Sequence, residues 1–232
     1  MKKIGLIGGM GPESTLDYYK ELINSFKEEG KHLDYPEIII YSLNLSEFID
    51  LMKRRQFEKI PPLLLEKLRA LKNAGAEFAA ISANTPHLFF DELQKNSPLP
   101  LISIVEATCE TAKKKGLKRP GLLGTGFTME SDFYQEVFRK NDMEVIVPGK
   151  EDRLLINHRL FTEIELGIFR EETKKELEDI IGRMITENQV DSMILGCTEF
   201  PLILTEKTCH GIPLLNTTKI HVDAIVEMAK RG

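Results

Sequence analysis

The sequence predicts an α/β protein built from two related parallel-sheet lobes. Three observations carry this. Short β-branched or apolar runs alternate with Gly-rich or polar turns and then amphipathic stretches, the pattern of parallel strands covered by helices. Three segments recur in the same order: Gly5-Leu6-Ile7-Gly8 as Gly121-Leu122-Leu123-Gly124, Ile81–Thr85 as Leu195–Glu199, and Pro100–Ser103 as Pro213–Asn216, at near-equal offsets of 116, 114 and 113. The length of 232 residues, with 42% apolar, suffices for two cores. The expected division is a first lobe over 1–104 and a second over 105–215, with helix 216–232 packing back on the first.

Lys3–Gly8 reads as a buried strand, and Pro12 suits the first turn of a helix whose Leu16, Tyr19, Leu22, Ile23 and Phe26 form an apolar stripe. Glu37–Leu43 is a second strand ending at Asn44, followed by a helix through Leu63–Leu71. Phe78–Ser82 and Leu101–Ile104 are further strands, separated by the polar turn Asn84-Thr85-Pro86-His87. A helix over Ala107–Ala112 leads into the second lobe. There Gly121–Gly124 is a strand, Met129–Asn141 a helix and Glu144–Val147 a strand. Residues 171–188 form a helix with Leu177, Ile180, Ile181, Met184 and Ile185 inward, and Ser192–Gly196 and Pro213–Leu215 are strands. Thr217 or Thr218 caps a last helix that buries Ile220, Ala224, Ile225 and Met228. The lobes are therefore flavodoxin-like, with helices on both sheet faces.

The 31 basic and 36 acidic residues give a net charge of −5, and no basic run argues for nucleic acid or an anionic membrane as partner. No apolar run approaches the roughly 18 residues of a membrane span. The apolar start is broken too early for a leader by Gly8, Gly9 and Gly11. Three cysteines make no disulfide framework, and a reducing cytoplasm is the expected setting. Neither the cysteines nor the histidines have metal-ligand spacing, so no metal is expected.

Ligands of open parallel sheets bind beyond the carboxyl ends of the strands. The turn Gly8-Gly9-Met10-Gly11 after the first strand lets backbone approach a ligand, with a helix start behind it. It fails as a dinucleotide site, because Ser14 replaces the third glycine and Asn44 the ribose-binding acid. Its counterpart Gly124-Thr125-Gly126-Phe127-Thr128 offers hydroxyls for a small carboxylate, or for helix capping. Cys197 ends a strand before a helix start, a location expected to lower its pKa toward neutrality. Cys109 reads as inert helix filler, and Cys209 beside His210 as a turn residue.

GLIGGMGPEST at the start, SANTPH at 82–87 and LGCTEFP at 195–201 together resemble the aspartate/glutamate racemase family over essentially the whole chain. The resemblance implies an active site in a cleft between the lobes, no cofactor, and one cysteine from each lobe on opposite faces of the substrate Cα. It further implies that the second-lobe cysteine works on the L face, and that the protein is a homodimer. Cys197 matches the second cysteine; the first falls on Ala83, which cannot transfer a proton. Asn84, Thr85, Thr125 and Thr198 are implied as carboxylate and amino contacts. Met10 and Gly11 of the first turn and Glu199 beside Thr198 join them, and Asn44 or Ser46 is placed to reach the far end of the substrate. His158 stands where aspartate-specific members carry a basic residue. Arg54 and Arg55 are further partners for a side-chain carboxylate, or simply exposed helical arginines.

Three functions are compatible with these residues. The first is a racemase-family enzyme acting on an acidic amino acid through Cys197, with Ala83 a natural loss or an engineered replacement. The second is a one-cysteine lyase, decarboxylase or isomerase, which protonates a carbanion from one face. The third is a non-catalytic binder of small carboxylates.

Overall fold

The computed structural model describes residues 1–27 and 34–231; Gly232, the last residue of the expected terminal helix, lies outside them. The chain forms two compact units, Met1–Ile104 joined by His221–Gly232, and Val105–Ile220. In chain order the first unit contains β1 (Ile4–Gly8), α1 (Pro12–Lys27), β2 (Ile38–Ser42), α2 (Leu45–Lys53), a 3-10 turn at Phe57–Lys59 and α3 (Ile60–Asn73). It continues with β3 (Phe78–Ile81), a 3-10 turn at Thr85–Phe89, α4 (Phe90–Asn96) and β4 (Leu101–Ile102). α5 (Ile104–Lys114) leads to β5 (Pro120–Gly124), α6 (Gly126–Glu130), α7 (Phe133–Arg139), α8 (Lys150–Thr162) and a 3-10 turn at Ile164–Leu166. Then come α9 (Glu171–Asn188), β6 (Ser192–Gly196), α10 (Phe200–Ile203), β7 (Thr208–Cys209), β8 (Ile212–Asn216) and α11 (Thr217–Lys230). Among the described residues no helix is long and apolar enough to cross a membrane.

The first sheet has the order β2-β1-β3-β4, all parallel, and the second β5-β6-β8-β7. The repeat read from the sequence reappears in the pairing. Ile7 pairs with Ile81 as Leu123 pairs with Leu195, and Ala79 with Leu101 as Met193 with Leu214. The counterpart of β2 is reduced to one parallel bridge, Gly121 to Ile146, so the expected strand Glu144–Val147 does not form. A further difference is β7, which adds antiparallel to β8 and carries Cys209 in a strand rather than a turn.

Each core is built by the expected elements, with corrections in which face is buried. α1 buries Ser14, Thr15, Tyr18, Leu22 and Phe26, leaving Leu16 and Tyr19 exposed. The helix is rotated because its first turn must present Ser14 and Thr15 to the strand ends. α11 likewise turns His221, Val222, Ile225, Val226 and Ala229 inward, with Ile220, Ala224 and Met228 only half-buried. Its start is capped by Asn216, whose Oδ1 accepts the Lys219 N–H, while Thr217 Oγ1 donates to the Leu195 carbonyl. The segment expected as one helix over 129–141 is two, α6 and α7, because Ser131 is extended and its hydroxyl donates to the Phe127 carbonyl. The strand expected over 101–104 stops at Ile102, since Ile104 already belongs to α5. α2 and α8 are additional helices that the sequence pattern did not separate from loops. Among the described residues β2 is an edge strand paired with β1 alone, and its Ile40 and Ser42 are exposed, so that sheet is not covered throughout.

Candidate active site

In the first unit the turns after β1 and β3 are tied to each other and to α1. Gly9 adopts a left-handed φ of 85°, and a Cβ there would lie 2.4 Å from the Leu43 carbonyl, so only glycine fits this approach. Thr15 Oγ1 accepts the Gly9 N–H at 2.8 Å and donates to the Gly11 carbonyl at 3.2 Å. Ser14 Oγ donates to the Ser82 carbonyl and Ser82 Oγ to that of Ile7. Met10, Gly11, Ala83, Asn84 and Thr85 thus belong to one set of strand ends, all buried except the half-buried Thr85. Asn44 follows β2, the other neighbour of β1. It is exposed and caps α2 by accepting from the Ser46 N–H and hydroxyl, so these two alternatives for one role bond to each other. Arg54 and Arg55 are exposed.

His87 fixes the turn that carries Ala83. Its Nδ1–H donates to the Ala83 carbonyl at 2.9 Å, so Nε2 accepts the Ile104 N–H at 3.2 Å. His221 is bound the same way: Nε2–H donates to the Ile102 carbonyl, and Nδ1 accepts the Tyr18 hydroxyl, both at 2.9 Å. The two rings meet edge to face, and Phe90 stacks on His87. Burial pushes His87 down to about 3, with the neighbouring His221 adding to it, and burial takes His221 to about 4. Both rings are neutral, and each has one nitrogen as donor and one as acceptor.

The second unit concentrates the ionisable groups. β5 and β6 end level, Gly124 pairing with Gly196, which sets Thr125 and Cys197 on adjacent strand ends. Thr125 Oγ1 accepts the Thr128 N–H and meets its hydroxyl, so the capping role is realised at this residue. Cys197 Sγ lies 3.0 Å from Glu199 Oε2 and 3.6 Å from Glu165 Oε1, and Thr198 Oγ1 donates to the same Glu199 oxygen at 3.0 Å. Cys197, Thr198 and Glu199 are all buried. Burial, then the charges of Glu199 and Glu165, push the thiol well above its ordinary pKa. This reverses the expected lowering: α10 begins only at Phe200 and is four residues long, too short to offset two carboxyl groups at the sulfur. Glu165 is itself raised to about 8, by burial first and then by Glu199. Cys109 and Cys209 are buried free thiols, each raised to about 11 by burial.

Glu165 was not apparent in the sequence. It sits in the 3-10 turn after α8, between Ile164 and Leu166, with nothing in its local pattern to set it apart from a surface acid. Asn157 was missed as well; its Oδ1 accepts the Gly126 N–H at 2.7 Å and supports the Thr125 turn. His158, the adjacent candidate, is exposed on α8. Glu165, Cys197 and Glu199 place ligand atoms within 4.8 Å of one another, the donor set able to hold a metal ion among the described residues. Three acidic groups this close cannot all be ionised, so without a cation the cluster retains a proton.

Two units of mostly parallel sheet and helices, one carrying a thiol between two carboxyl groups, define a two-lobed α/β protein. The chain belongs to the Asp/Glu/Hydantoin racemase family, whose model matches residues 7–225. The broad-specificity amino-acid racemase RacX of Bacillus subtilis is 30% identical over 146 residues, 62% of this chain and 63% of RacX. The glutamate racemase of Aquifex aeolicus is 26% identical over 171 residues, 69% of this chain and 61% of that enzyme. The matches therefore span under two thirds of these curated relatives. Among solved structures, an aspartate racemase homologue from Pyrococcus horikoshii has 37% identity and a TM-score of 0.86, covering 99% of this chain and all of that one. A candidate Asp/Glu racemase from Yersinia pestis has 34% identity and a TM-score of 0.90, with the same coverage.

Proposed function

We propose that the protein is a cofactor-independent enzyme that moves the α-proton of an acidic amino acid through Cys197, as a cytoplasmic homodimer. The observation that carries this reading is the proton-sharing cluster of Cys197, Glu199 and Glu165. In the proposed step the thiol proton passes to Glu199 Oε2, 3.0 Å away, leaving a thiolate. The thiolate takes the α-proton: the Cα–H bond breaks, an S–H bond forms, and the electron pair spreads into the substrate carboxylate. Return of the proton by the same thiol regenerates the substrate. At neutral pH Glu165, raised to about 8, remains mostly protonated and supplies a neutral donor beside the sulfur. Thr198, Thr125, Asn84, Thr85, Met10 and Gly11 are the proposed substrate contacts, with Asn44 and His158 at the far end.

Position 83 makes the chemistry one-sided. Inversion needs an acid on the face opposite the base, and Ala83 is a methyl group on a turn whose nearby His87 has both nitrogens engaged. The same feature favours one alternative, a lyase or decarboxylase that protonates a carbanion from one face. The test is incubation of each enantiomer of aspartate and glutamate in D2O with EDTA present, followed by NMR and chiral chromatography. Deuterium should enter the L-enantiomer with little inversion. Exchange that persists in Cys197→Ser, or that EDTA abolishes, would remove the reading.

A further inference from the structure

We propose that the outer face of α1 is a two-fold contact surface for a second copy of this chain, the two α1 helices packing antiparallel with Glu13 of each opposite Lys27 of the other. This rests on the homodimer reading and names the surface that makes it. α1 is apolar on two faces. One is buried against the sheet; the other presents Leu16, 64% exposed, Tyr19, 48% exposed, and the half-buried Ile23, at helical spacing. On β2, Ile40, 39% exposed, shares a sheet face with Ile38, which packs into the Tyr18–Leu22–Phe26 cluster formed by the inner face of α1. Leu16 and Tyr19 thus leave about half or more of two large side chains exposed on one stripe of the helix. Among the described residues β2 pairs only with β1, and its sequence Ile-Ile-Ile-Tyr-Ser has no charge or proline to guard the open edge.

The charges select the occupant. Exposed Glu13 lies three residues before Leu16, and exposed Lys27 four residues after Ile23, on the same stripe. A parallel pairing of two such helices sets Glu on Glu and Lys on Lys. A two-fold antiparallel pairing sets Glu13 against Lys27 twice and Leu16 against Ile23 twice, with Tyr19 near the axis. Lys20, also near the axis, is balanced within its own helix by Asp17, whose charge it favours. The helix dipoles oppose as well, Glu13 standing at an N-terminal end and Lys27 at a C-terminal end. The stripe is therefore complementary to itself in one orientation only.

Sedimentation equilibrium on the full chain tests this, with circular dichroism to confirm folding. The wild type should be a dimer and Leu16→Glu a monomer. Lys27→Glu should raise the dimer dissociation constant about tenfold or more, and Glu13→Lys with Lys27→Glu should recover most of that loss. Both reversals oppose the helix dipole, so recovery in the double variant cannot come from a better helix. A monomeric wild type would sink the homodimer reading itself. A dimer indifferent to Leu16→Glu, or a double variant no tighter than Lys27→Glu, would overturn this surface while leaving a homodimer standing. Proton exchange into substrate is measured separately and decides neither outcome.

Discussion

Replacing Glu199 by glutamine should make Cys197 easier to alkylate while slowing the proposed exchange reaction. Two carboxyl groups lie 3.0 and 3.6 Å from the sulfur, and both oppose the thiolate. A unit charge at about 4 Å interacts by roughly 4 kcal/mol at an effective dielectric of 20, a ceiling of about three pKa units. The expected fall in the Cys197 pKa lies under that ceiling, on the order of 1–3 units. Burial remains, so the thiol should still not titrate at its ordinary value. Glu165→Gln should lower the Cys197 midpoint as well: the wild-type thiol titrates above the pH of about 8 at which Glu165 ionises, so Glu165 is charged when the thiolate forms. The assay is iodoacetamide alkylation against pH, resolved by peptide mass spectrometry, with Cys109 and Cys209, both near 11, as internal controls. Exchange should move the other way, because Glu199 is the proposed acceptor of the thiol proton and loss of a positioned base costs roughly 10²–10⁴-fold. A wild-type Cys197 alkylated with a midpoint near 8.5, or a Glu199→Gln profile identical to it, would refute the reasoning.

Three further outcomes are expected. His87 and His221 have folded pKa values near 3 and 4, below the unfolded 6.5, so their contribution is complete above pH 6.5 and is lost as the pH falls toward the folded values. Linkage gives roughly 3 kcal/mol each by pH 4, and urea unfolding curves that stay flat from pH 7 to 4.5 in a Glu165→Gln background would contradict it. Glu165 runs in the opposite sense: its folded pKa is raised, so its contribution is complete below 4.5 and is lost as pH rises through 8. Glu165→Gln should therefore be more stable than wild type at pH 8, on the order of 4 kcal/mol, and equal stability at pH 8 would show a solvated carboxyl. Ala83→Cys adds one small group to a turn whose counterpart already holds cysteine, and should raise racemisation by about 10²-fold or more. Chiral chromatography showing equal racemisation with and without the new thiol would end the two-face argument.

What could be read from the sequence follows from which interactions are local. The strand ends and the repeat were legible because parallel strands buried on both faces are unbroken apolar runs, as at Ser192–Gly196, and α9 emerged at its full extent from its spacing. The α1 stripe was misread because Leu16 and Tyr19 fit the helical period as well as Tyr18 does. The choice between them was made by Thr15, whose bonds to Gly9 and Gly11 are invisible to hydrophobicity. Cys197 was identifiable by motif, but its protonation was not: that depends on Glu165, 32 residues away, which only folding brings to the sulfur. His87 and His221 read as ordinary polar residues for the same reason, since their partners lie in other elements.

The repeat explains why the two units diverge so sharply at equivalent positions. In both, the glycine that ends the first strand packs on a threonine of the next helix: a Cβ at Gly8 would meet Thr15 Cγ2 at 2.4 Å, and one at Gly124 would meet Thr128 Cγ2 at 2.8 Å. The scaffold of the turns is thus shared, and what differs is the proton inventory. At Ser82–His87 every ionisable group is a histidine held neutral by a saturated pair of hydrogen bonds, and the position equivalent to Cys197 is alanine. At Cys197–Glu199 the corresponding turn holds a thiol and one carboxyl group, and Glu165, from the 3-10 turn after α8, brings a second to the sulfur. In the proposed function the first turn contacts substrate without exchanging a proton with it, and the second carries the exchange. Cys197→Ser should therefore abolish exchange while leaving binding of a dicarboxylate within about a few-fold of wild type, since uniform binding and proton transfer are separable contributions. Loss of both together, measured by calorimetry beside the D2O assay, would show that the sulfur itself is part of the binding surface.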